Sequence, residues 1–227
     1  MKRIGFFGHS NCAYRSVGSF IDLFSNYFNA SIENIGVRQG SEERILFELK
    51  KTKNLDLAII FHGEPGNIFL PDCDRDLNFN YVNETKAGYL FRDWNNDFSK
   101  AHHEKFTKKF KTPENFLNTT IILREYFYHP DLQMNRFIGC LMQIDQYLLD
   151  QNLPCIHILE KTNAIPNWFK FKSGIVDYSV TDIIKNNPLK KGEVFANCTT
   201  SQGNTLIFER LKELAVDLIP SSPGAVA

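Results

Sequence analysis

A serine stands where an α/β protein displays its chemistry. The run Lys2-Arg3-Ile4-Gly5-Phe6-Phe7-Gly8-His9-Ser10-Asn11 passes from a buried-strand pattern straight into Gly-x-Ser and then toward a helix. In open α/β sheets ligands collect outside the carboxyl ends of the strands, so this turn would offer the Ser10 hydroxyl to a substrate as a nucleophile. A free hydroxyl reacts poorly until a base takes its proton. His62, directly after the third apolar run Leu55–Phe61, is the preferred base. Glu64, Asp72 or Asp74 would orient it, and Asn67 would line the same loop. The competing reading of His62 is a turn residue bonded to backbone. Other histidines have plainer uses. His9 shapes the turn beside Ser10, and His102 and His103 lie in the charged stretch Ala101–Lys111. His129 caps a helix opened by Pro130, and His157 alternates within a strand as a satisfied core residue.

Other chemistries find less support. Asp72-Cys73-Asp74-Arg75-Asp76-Leu77-Asn78 spaces oxygen ligands like the start of a calcium loop, but Leu77 stands where glycine is required and Asn83 where a glutamate is. A polar turn is expected there, and no metal. Neither a phosphate-binding Gly-x-x-x-x-Gly-Lys-Ser/Thr nor a dinucleotide Gly-x-Gly-x-x-Gly follows a strand, so no nucleotide cofactor is expected. The five cysteines are widely spaced and read as reduced, buried thiols. Lys plus Arg and Asp plus Glu both number 26, which leaves no overall field for nucleic acid or an anionic membrane. Lys105, Lys108, Lys109 and Lys111 alternate with Phe106 and Phe110 as one wet helix face would. No apolar run reaches the about 18 residues of a membrane span, and the charged start lacks a signal peptide's apolar stretch. A cytoplasmic protein is expected, with no membrane partner.

The elements that must position these residues follow from periodicity. Strand one, Arg3–Phe7, leads into a helix whose core face reads Val17, Phe20, Ile21, Phe24 and Phe28. A second strand, Ser31–Ile35, precedes a helix capped by Ser41, with Ile45, Leu46 and Leu49 inward. The third strand is almost continuously apolar, as a central parallel strand covered on both faces should be. Residues 62–111 then lose periodicity and read as a lid-like insertion. A helix from Pro130 turns Met134, Phe137, Ile138, Leu141 and Leu148 inward, and strand four follows at Pro154–Leu159. A short strand or loop at Gly174–Val176, a short helix at Thr181–Lys185, and Val194-Phe195 as a closing strand come next. A last helix from Ser201 buries Leu206, Ile207, Leu211 and Leu214. The fold expected is a three-layer α/β/α sandwich around a mostly parallel sheet of flavodoxin-like order 2-1-3-4-5. It would be one domain, 1–218, with a flexible tail, 219–227. That order sets strands one and three side by side, with Ser10 and His62 at neighbouring ends.

Gly8-His9-Ser10 after strand one, Asn34-Ile35-Gly36 after strand two and Gln39-Gly40-Ser41-Glu42-Glu43 at the next helix resemble the SGNH (GDSL-type) hydrolase superfamily. The blurred motifs are similar to those of divergent phage-encoded members. The resemblance implies a Ser10 nucleophile, with the Ser10 and Gly36 amides as oxyanion donors and Asn34 beside them. It fails in two places. Pro65 falls where the family's third block carries a donor Asn, and in Cys198-Thr199-Thr200-Ser201-Gln202-Gly203-Asn204 the frame is kept while Cys198 and Phe195 replace the catalytic His and Asp. The activity implied is hydrolysis of a small-molecule or glycan ester such as a carbohydrate O-acetyl group. The alternatives are a catalytically degenerate module that binds a glycan or protein, and an unrelated flavodoxin-like domain with a small ligand in its crevice.

Overall fold

The computed structural model describes residues 1–8, 12, 17–36, 40–69, 77–78, 122, 129–160, 165–188 and 199–219. Strands β1 (Lys2–Gly8), β2 (Ala30–Gly36) and β3 (Leu57–Phe61) alternate with helices α1 (Phe20–Phe28) and α2 (Glu42–Lys51). A two-residue antiparallel pair follows, β4 (Asn67–Ile68) with β5 (Leu77–Asn78). Then come α3 (Pro130–Asp150), β6 (Cys155–Ile158), β7 (Ile175–Asp177), α4 (Ser179–Asn186) and α5 (Ser201–Val216).

Five strands form one parallel sheet in the order β2-β1-β3-β6-β7, the 2-1-3-4-5 pattern expected from sequence. Its fifth member is the short Ile175–Asp177 strand, and Val194-Phe195 lies outside the described residues. Alternation along each strand explains the continuous apolar runs. Ile4, Phe6, Leu57, Ile59, Phe61, Ile156 and Ile158 pack on one face with Phe20, Phe24, Ile207 and Leu211 of α1 and α5. Phe7, Ala58, Ile60 and Cys155 pack on the other with Ile45, Leu49, Ile144 and Leu148 of α2 and α3. Helices therefore cover both faces, which makes three layers. Cys12, Cys140 and Cys155 are buried. Among the described residues no helix is long and apolar enough to cross a membrane.

Several sequence expectations need correction. Val17 is 92% exposed, because Gly18 turns the chain at φ 78° and Ser19 caps the helix that starts at Phe20. Leu206 is 43% exposed, since the face α5 buries runs through Gly203, Asn204, Ile207, Leu211 and Ala215. His129 stands at the first cap position of α3, yet its side chain makes no capping bond. Ile219 is no tail residue. It is buried in the α1/α5 core, and its amide bonds the Ala215 carbonyl at 2.9 Å. The start of the presumed lid is likewise core, with His62 and Asn67 both buried.

Candidate functional site

The carboxyl ends of β1, β2 and β3 lie side by side. Gly8 is in register with Gly36 on one side and with Phe61 on the other, so the chain leaves β1 between the end of β2 and the end of β3. Gly8 has φ 127°, and a Cβ there would lie 2.0 Å from the Phe61 carbonyl oxygen, so the exit from β1 requires glycine. At Gly36 the backbone amide donates to Asn34 Oδ1 at 3.4 Å, a contact longer than an ordinary hydrogen bond. Ser10, Asp72, Asp74 and Cys198 lie outside the described residues, as do His9, His102 and His103.

His62 is placed at the end of β3, its amide bonded to the Ile158 carbonyl at 3.0 Å. Its ring is fully buried and both nitrogens are engaged: Nδ1 with Glu42 Oε2 at 2.9 Å, Nε2 with His157 Nδ1 at 2.9 Å. The carboxylate on His62 is thus Glu42, where sequence reasoning proposed Glu64, Asp72 or Asp74. With both nitrogens spent on buried partners, the ring presents neither one to a hydroxyl at the end of β1. Glu64 follows in a half-buried turn, its carbonyl accepting from the Asn67 amide at 3.0 Å.

His157 continues the chain, with Nε2 meeting the Ser173 carbonyl at 2.7 Å and the Ser173 hydroxyl at 3.2 Å. The Ser173 hydroxyl and amide both donate to Asp145 Oδ1, at 2.6 and 2.8 Å. Phe171 stacks on His157 at 3.9 Å between ring centroids and lies 5.2 Å from His62. Burial first, then the nearby His62, drives the His157 ring well below its ordinary proton affinity, so it is neutral.

Glu42 also accepts the Gly63 amide on Oε1 at 2.8 Å, and Asn67 Nδ2 donates to the Gly40 carbonyl at 3.1 Å. A Cβ on Gly63 would meet that same carbonyl at 2.4 Å. The turn after β3 is therefore pressed onto the start of α2. Arg136 of α3 reaches across to the Asn67 carbonyl and pairs with Glu43. Burial raises the Glu43 carboxyl above its usual range, and Arg136 opposes that rise.

Sequence reasoning read His157 as a satisfied core histidine, which is how it stands, but it did not connect it to His62. Glu42 entered there only as part of the Gln39–Glu43 helix entry. No spacing pattern joins positions 42, 62, 157 and 173, which come from four separate segments. The Cys198–Asn204 frame has structural uses of its own among its described members. Thr200 caps α5, a Cβ on Gly203 would lie 2.0 Å from Thr199 Oγ1, and Asn204 Oδ1 accepts the Phe20 amide at the start of α1. Among the described residues no group of three His, Cys, Asp or Glu is placed to hold a metal ion. No protein-family model matches the chain, and no curated protein matches its sequence.

Proposed function

We propose that the protein is an SGNH-like serine acyl-ester hydrolase working in the crevice outside β1, β2 and β3. The observation that supports this reading is the register of Gly8 with Gly36 and Phe61, which sets the last residue of β1 beside the proposed oxyanion glycine, two positions before Ser10 in the sequence. Ser10 would attack the ester carbonyl and expel the alcohol, and water would then release the acyl group. The Ser10 and Gly36 amides would receive the oxyanion; the long Asn34 contact leaves the Gly36 N–H easy to re-aim. O-acetylated carbohydrates are the first substrates to try. The proton acceptor cannot be His62 as it is bonded here. The other candidates in the sequence are His9, His102, His103 and His129.

The engagement of both His62 nitrogens favours a second reading, a degenerate member that binds a glycan or protein without turnover. Intact-mass labelling with a fluorophosphonate separates the two. One adduct on the wild type, absent from Ser10→Ala, supports the hydrolase, and alanine variants of the four histidines then identify the base. Folded wild-type protein that takes no label, or a label that persists in Ser10→Ala, sinks the Ser10 nucleophile.

A further inference from the structure

Hydrogen-bond arithmetic along the buried chain determines its protons. Three contacts in series, Glu42 to His62, His62 to His157 and His157 to the Ser173 carbonyl, each need one proton. A carbonyl only accepts, so His157 carries hydrogen on Nε2 and, being neutral, accepts at Nδ1 from His62 Nε2–H. Two neutral imidazoles hold two protons between them, and the Glu42 contact requires a third. Glu42 already accepts the Gly63 amide and sits at the first position of α2, where unpaired helix N–H groups favour a carboxylate over a carboxylic acid. The third proton therefore belongs on His62.

We infer that Glu42 holds His62 as a doubly protonated imidazolium, and that this ion pair positions the Gly63–Asn67 turn beside the crevice instead of supplying a base. The two charges sit on side chains 1% and 0% exposed, where a pair is tolerable only if its other bonds are satisfied. Here they are. Glu42 takes the His62 ring on one oxygen and the Gly63 amide on the other, while His62 donates from both nitrogens. Described ionisable groups near this chain have bonds of their own. Glu43 pairs with Arg136, and Asp145 accepts the Lys172 and Ser173 amides. The Cys140 thiol is pushed up to about 12 by burial and stays neutral. Glu42 is thus a positioning residue. It acts on the site through the ring and the amide it binds.

Ring-nitrogen NMR of the full chain, with ¹⁵N-labelled histidine at neutral pH, tests this directly. His62 should show both nitrogens protonated, and His157 one protonated Nε2 and one bare Nδ1. A His62 ring with a bare nitrogen, or the charge found on His157, overturns the inference. In Glu42→Gln the His62 ring should lose one proton and the Gly63 amide should exchange about tenfold faster or more, the scale of a lost bond to a charged acceptor. Unchanged ring signals and unchanged Gly63 exchange in that variant would also overturn it. Should Glu42→Gln fail to fold, the wild-type spectrum decides alone. None of this requires Ser10 to react, so a failed spectrum and a failed labelling are separate results.

Discussion

His62 and His157 differ by one proton although their rings lie 5.2 Å apart and nearly parallel. The difference comes from what each faces: a carboxylate and an acceptor nitrogen around His62, a carbonyl and an aromatic ring around His157. A neutral His157 has a measurable consequence. Its folded proton affinity is depressed below the ordinary 6.5, so the unfolded chain takes up a proton that the native protein refuses. The contribution of His157 to stability is complete above about pH 6.5 and falls as pH drops through that value toward the folded one, by about 1.4 kcal/mol per pH unit. Urea unfolding of wild type and His157→Gln across that window should show a shallower acid slope in the variant. Equal slopes would mean His157 charges in the native state.

At the scale of elements, tight approaches of backbone set where the crevice lies. Gly8 combines a positive φ with a carbonyl where its Cβ would be, whereas Gly18 has φ 78° and, among the described residues, nothing within 4 Å of its Cβ position. Gly18→Ala should therefore cost only the left-handed backbone term, about 1–2 kcal/mol. Gly8→Ala must also part β1 from β3, and should cost about 3 kcal/mol or more. Denaturant midpoints of the two variants check this, and similar losses would show that the β1–β3 contact yields easily. The start of α2 was legible because capping is local. Ser41 accepts the Arg44 amide as its position before Glu42-Glu43 suggests. The exposed side of α5 was not legible. A stripe of Leu206, Ile207, Leu211 and Leu214 does not reveal that Gly203 and Asn204, a small and a polar residue, lie on the buried face.

Over the whole molecule, two apolar layers close on one sheet, and the middle of that sheet opens only when both layers come apart. Cys155 lies in β6 with no exposure, and burial raises its thiol well above the ordinary range, so it is neither accessible nor ionised in the native state. Its labelling by a thiol reagent should follow global unfolding, with the same denaturant dependence as loss of structure. Faster labelling would reveal a local opening of β6. Order and layers were readable in the chain itself, because strand alternation, helical period and right-handed crossovers are local or topological rules. They determined an α/β/α sandwich with a mostly parallel sheet; the 2-1-3-4-5 order, chosen from sequence as the flavodoxin-like one, is the order the sheet has. Only tertiary structure decided the partners of His62. Glu42 joins it from 20 residues away and His157 from 95, and whether a buried acid meets a ring nitrogen depends on how helices settle on the sheet. Periodicity specifies which side of an element is buried; the hydrogen bonds made there are specified by the elements packed against it.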